Sequence, residues 1–592
     1  MKKTLIALTL ASVLAGCSLD GDDGSVGATG PQGPQGEQGE SGQAISGDLE
    51  LTLVGRAVLN AESPEGAAEI VAFHARTHQI YAINSSGDKA TVEIIAADNF
   101  DVAALVADNE GVISSTNLDI TTTLDVSANT PGDANSIAID ANNDLLAVAM
   151  AAETGVKGQV AFYDISGEAP LFLHNVEVGY LPDMVTFTPD GAKVVVANEG
   201  EPAGDYSVDP EGSIAVIAIE SGKPAIEASL LGFSQFNDQQ AELEAQGVVF
   251  ANPTGRTIKG QLINTTVAMD LEPEYVAISA DSKTAYVSLQ ENNALAVVDL
   301  ENMTLEVRAL GFKDWGNLLI DASDKDGGIN FQQYPGLFGM YQPDTIATYQ
   351  WQGADFVVSA NEGDGREYFF DSADEASCLA EGGLEFDEDD GCLAYIDESR
   401  AEDLDLADNF AYVNNDDDDI GRLIVSTVRG DADQDGRYEQ LYAYGARSFS
   451  IWDANTGLVF DSGDDVGRIT AAIHGSAFNN NEDENEGDTR SDAKGAEPEA
   501  LALGQVQGRT YAFVGLERMG GIMVYDITNP FDVKFKNYAS NRGLVEGADI
   551  TGDLAPEGMR FISAEQSPNG MPLLVVGNEI SGSVSVWQID VK

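Results

Sequence analysis

Residues Leu271–Leu300 read LEPEYVAISADSKTAYVSLQENNALAVVDL. Three short runs, YVAIS, TAYVSLQ and ALAVVDL, are apolar and β-branched, and the polar turns DSK and ENN separate them. No helical signal interrupts them, so the stretch predicts three strands joined by tight turns. The same order returns at Glu497–Ile527 (EPEALALGQVQGRTYAFVGLERMGGIMVYDI) and at Pro556–Ile589 (PEGMRFISAEQSPNGMPLLVVGNEISGSVSVWQI). The chain is therefore an internal repeat, and its fold is the fold of a repeat array.

Further units with the same strand and turn order start at Ala68, Asn135 and Pro182. A fifth opens at Pro343-Asp344 and DFVVSANEGDGRE, but its third strand reappears only at Gly445–Asp453, GARSFSIWD. Residues from about 368 to 444 then form a long insertion in the fifth unit. Small antiparallel sheets that cannot bury both faces alone close naturally into a ring. The expected fold is all-β, a seven-bladed β-propeller over residues 48–592. The chain stops right after the third strand of the last unit, and the isolated strand Asp48–Arg56 before the first unit supplies the strand that closes the ring. A β-sandwich array, the alternative, gives that orphan strand no role.

With 30 Lys and Arg against 99 Asp and Glu, the formal charge is −69. Such a surface repels nucleic acid, which excludes DNA and RNA as partners, and favours cations. A hydrophobic fraction of 43% shows that the acidity sits on a folded protein. Residues 1–16 have the charged start and short apolar core of an export signal. Leu14-Ala15-Gly16-Cys17 resembles a bacterial lipobox, which implies lipidation of Cys17 and, with Ser18 following, attachment to the outer membrane, facing the periplasm or the exterior. Within residues 17–47, glycine falls at every third position from Gly24 to Gly42, the period of collagen. The segment is an extended stalk or a trimerising one. Export implies an oxidising compartment, where Cys378 and Cys392 are expected to form a disulfide.

Two acidic positions recur. Asp183, Glu274, Asp344, Glu499 and Glu557 stand at the start of the first strand, each directly after a proline. Glu199, Glu291, Glu362, Glu517 and Glu579 stand at the end of the second. Adjacent antiparallel strands bring both sets to one edge, so both are expected around the central mouth. They cannot all ionise there without compensation. Divalent cations are one remedy, calcium or another hard ion. Nearby bases are the other: Arg366, Arg447, Arg490, Lys494 and Arg518 lie next to these acids in sequence. A salt-bridged ring that merely joins the blades remains an equal reading. A further calcium loop is expected at Asp431, Asp433 and Asp435, in DADQDGRYE, although Tyr442 occupies the position of the usual bidentate Glu. No zinc spacing, nucleophile elbow, phosphate-binding glycine loop or dinucleotide fingerprint is present.

LPDMVTFTPDGAKVVVANEGEP, LGFKDW, ANEGDGRE, GARSFSIWD, RSDAKGAEPEA, FVGLERMGGIMVYDI and LLVVGNEISGSVSVW, in this order, resemble the choice-of-anchor I family of bacterial exported proteins. Some relatives carry the label alkaline phosphatase, and the architecture is similar to that of the calcium-dependent propeller phytases. The resemblance implies a metal-dependent phosphoesterase acting on a small phosphate ester, although no residue-level phytase motif transfers; the residues themselves offer Arg366, Arg447, Arg490 and Arg518 as charge stabilisers. The alternative is a non-catalytic, calcium-stiffened propeller that binds a surface ligand.

Overall fold

The strands of each repeat hydrogen-bond in sequence order into one antiparallel sheet. The computed structural model describes residues 49–592, apart from 61–63, 65, 88 and 252. The export signal, Cys17 and the Gly-x-y stretch lie outside the described residues. Blade one consists of Ala67–His74, Gln79–Asn84, Thr91–Ala96 and Ile120–Asp125. Blade two runs from Asp133–Asp140 to Leu171–Tyr180, blade three from Pro182–Phe187 to Ser229–Gly232, and blade four from Val276–Ile278 to Thr304–Ala309. Blade five joins Ile346–Trp351 and Ala354–Asn361 to Ser448–Asp453 and Gly457–Asp461. Blade six runs from Pro498–Val506 to Lys534–Ala539. The outermost strands, such as ITTTLD and TLEVRA, are half exposed and add a fourth strand to the three that each unit shows in the sequence.

The last blade contains Pro556–Ile562, Leu573–Asn578 and Ser583–Val591, and its outer strand is Leu49–Val58. That N-terminal strand pairs antiparallel with the C-terminal one, from Leu49 opposite Val591 to Val58 opposite Ser583. The innermost strands touch in succession around the molecule, and Pro556–Ile562 packs against Ala67–His74, so the ring is closed. Burial explains closure. Ile83 and Val92 of blade one share a core with Leu146 and Val148 of blade two, and each later interface repeats the arrangement. An isolated blade would expose one of these faces.

Residues 362–447 leave blade five between its second and third strands. Glu367–Phe370, Glu385–Asp387 and Gly391–Ile396 form a small sheet there, tied by a Cys378–Cys392 disulfide. Gly383 lies against both sulfurs, where a Cβ would come within 2.1 Å of Cys392 Sγ. Leu441–Ala443, Ile424–Ser426 and Glu398–Arg400 extend a second sheet begun by Phe312–Asp314 and Leu337–Met340. The insertion and the long connections after blades three and five carry Glu272, Arg366, Lys494 and Glu497 to the mouth.

Candidate metal centre at the mouth of the propeller

A recurrent turn aims the first set of carboxylates. Leu181, Gln342, Glu497 and Ala555 have φ between +40° and +61°, and each precedes a proline that precedes an acid. A side chain seldom tolerates positive φ, and proline at the first strand position gives up a ladder donor. The next residue leaves the ladder at a bulge in the case of Asp183, Glu499 and Glu557, whereas Asp344 precedes the first strand of its blade. In the second set, the asparagine before the acid is structural. Asn198, Asn361 and Asn578 are buried and bond to Ser213, Ser448 and Ser583 at the head of the third strand. The following Glu199, Glu362 or Glu579 is thereby left at the rim.

The register adds a member to the first ring that the sequence did not flag. Glu69 lies two residues before Val71, as Asp183 lies before Val185, but no proline marks it. Blade two breaks the pattern with Asn135. Burial, reinforced by Glu579 and Asp183, pushes Glu69 up to about 8. Burial and Glu291 push Asp183 up to about 7. Burial likewise holds Glu274, Asp344, Glu499, Glu517 and Glu557 well above the carboxylate range, each with a second acid as its next cause. The two rings therefore converge into one electrostatic cluster.

The donor set fits hard divalent cations. Carboxylate oxygens of Asp344, Glu362 and Glu499 lie within 4.8 Å of one another. Glu274, Glu291, Glu499 and Glu557 each keep one buried Oε2 without a hydrogen-bond partner. Buried polar atoms are rarely orphaned, and oxygen-only sites suit calcium or magnesium. A second group, Glu362, Glu497 and Glu517, is as close but is already neutralised. Fully buried Glu497 accepts from Arg490 at 2.6 Å and lies 3.3 Å from both Lys494 Nζ and Arg518 Nε. These cations outweigh the burial cost and bring Glu497 down to about 2. Lys494 also binds Glu362 at 2.6 Å.

The four arginines divide into two kinds. Arg366 is buried, with its guanidinium on Asp270 at 2.7 Å and Glu272 at 2.5 Å. Arg447 bonds the carbonyls of Asp321, Ser491 and Ala493, and so clamps the loop that carries Lys494 and Glu497. Arg490 and Arg518 reach the mouth, where Arg518 also pairs with Glu517 and Glu482. Away from the mouth, Asp431 and Asp433 come together with Glu439, which the sequence reading left out. Asp435 instead accepts from the Arg437 amide.

The family model of the choice-of-anchor I domain matches residues 69–530. The chain belongs to this family. Membership places it among cell-surface or exported proteins. Gigasin-3a of Magallana gigas is 32% identical over 184 residues, which are 29% of this chain and 64% of that protein. The mesenchyme-specific cell surface glycoprotein of Strongylocentrotus purpuratus is 31% identical over 283 residues, 44% of this chain and 35% of that protein. The chain thus matches less than two thirds of either relative. Among solved structures, Kuenenia stuttgartiensis hydrazine synthase is similar at 12% identity and a TM-score of 0.40, covering 89% of this chain and 97% of that one. The WD40 domain of Toxoplasma gondii coronin is similar at 9% identity and a TM-score of 0.39, covering 92% and 89%. At these values the fold rests on the sheet topology above.

Proposed function

We propose that this choice-of-anchor I protein is a surface propeller, held to the outer membrane by lipid on Cys17, that takes divalent cations, calcium first, into its mouth. The ions stiffen the ring and bind an extracellular ligand without turning it over. The orphaned buried oxygens of Glu274, Glu291, Glu499 and Glu557 carry this reading. A stabiliser of developing charge needs donors aimed at open space, whereas those of Arg366 and Arg447 are spent on the protein. The surface location in the name of the Strongylocentrotus relative agrees with such a role.

Phosphoester hydrolysis is the second reading, and Lys494 favours it. Its ammonium lies against Glu362, a member of the Asp344–Glu362–Glu499 group, so a cation stands beside the metal position, as phosphate binding requires. A metal there would polarise phosphoryl oxygens and activate water. Calcium titration of the chelated protein, followed by phosphomonoester and phosphodiester assays, separates the readings. Uptake that weakens at least tenfold in Glu499→Gln, without turnover, supports the binder. No uptake by the wild type overturns both. Metal-dependent turnover that falls about 100-fold in Arg518→Ala establishes the enzyme.

A further inference from the structure

Three residues along the inner strands from the first carboxylate ring, the register defines a second level. It consists of Ala72, Ala138, Thr186, Ala277, Ala347 and Ala502, with Arg560 from the last blade. One cavity of about 380 Å³ takes its wall from Thr186, Ala277, Ala347, Ala502 and Arg560. The small side chains leave the room, and the arginine projects among them. This volume lies in the range of small-molecule sites.

Arg560 is anomalous in this protein. Acids outnumber bases 99 to 30, yet among the described arginines it alone has neither a hydrogen bond nor an ion pair. Arg256, Arg429, Arg447 and Arg542 also lack a carboxylate, but carbonyl or amide oxygens satisfy them. Arg560 is solvent-exposed within the channel, and the titratable group facing it is the Tyr275 phenol. Enclosure lowers its pKa from the ordinary arginine value. No carboxylate among the described residues holds this guanidinium, and its fork is free to match an oxyanion bidentately. We infer that the channel at Arg560 binds a small oxyanion, a carboxylate or phosphate group, at the guanidinium, in a cavity that Tyr275 and Thr186 also line. This site is independent of the cations proposed for the mouth, since its chemistry is anionic and its residues are others.

The test uses the chelated protein in a buffer free of small oxyanions. Inorganic phosphate and acetate are titrated calorimetrically into wild type, Arg560→Met and Arg560→Lys. One-site binding by wild type is expected with at least one probe, and the probe preferred names the ligand class. Arg560→Met should bind roughly ten- to hundredfold more weakly, the scale for removing a charged hydrogen-bond partner, and Arg560→Lys should fall between. Arg560→Met should also melt no lower than wild type in probe-free buffer and lose the rise in Tm that the probe confers on wild type. No binding of either probe at 10-fold molar excess over ~1 mM protein, or equal affinity in Arg560→Met, overturns the inference. Calcium uptake by Arg560→Met, measured in parallel, is expected to equal wild type, so failure of the channel site and failure of the mouth are told apart.

Discussion

Replacing Glu497 by Gln removes one negative charge and keeps the shape. Glu497 is fully buried and neutralises Arg490, Lys494 and Arg518 at once. Breaking a buried ion pair from one side costs about 3–5 kcal/mol, and a carboxyl brought from 4.5 to about 2 corresponds to about 3 kcal/mol. At about 2 cal/mol/K of unfolding entropy per residue, a domain of this size loses about 3–5 °C of Tm. The pH signature separates this from a packing defect. The folded-state pKa is depressed, so the stabilisation is present above pH 4.5 and is lost as pH falls toward 2. Thermal melts of wild type and Glu497→Gln, followed by circular dichroism, should differ by several degrees at pH 7 and converge near pH 2. A gap under 1 °C at pH 7, or one equally wide at both pH values, would refute the hub role of Glu497.

The raised carboxyls of the mouth predict the opposite trend. Folded pKa values of about 8 for Glu69 and about 7 for Asp183 exceed their unfolded values, so the chelated protein should lose stability as pH rises from about 4 to 8. Melts with chelator should show this fall and calcium should reverse it, whereas a metal-free Tm that rises over pH 5–8 contradicts it. Cys378→Ser opens a loop whose closure is worth about 3 kcal/mol, so limited proteolysis should cut the 362–447 insertion sooner while the blade strands stay protected. Deleting residues 49–58 bares the edge of Ser583–Val591 and opens the ring, so the deletion variant should aggregate or melt without a single cooperative transition.

The strand order, the repeat and the closing role of Leu49–Val58 were legible because apolar alternation and turn residues are local signals. The mouth was legible in part, since a proline announces most of its acids. Glu69 has no such mark, and only the pairing of Val71 with Ala82 puts it in the ring. Glu272, Glu497 and Arg366 lie on long connections, and sequence gives no distance between them. Arg366 illustrates the limit, because its neighbours in sequence suggested an open site and its neighbours in space, Asp270 and Glu272, consume it. Asp435 and Glu439 exchange roles for the same reason, since loop closure decides which oxygens meet.

By itself the sequence determined the kind of protein: an acidic, all-β array whose repeats must close and whose carboxylates gather at one edge. Periodicity and charge are properties of the chain, and they survive any arrangement of its parts. The tertiary structure alone decided which charges are paired, that Glu497 binds three cations, and that Arg560 stands unpartnered among alanines in the channel. Burial and pairing depend on residues brought together from distant blades, and desolvation makes those pairings count.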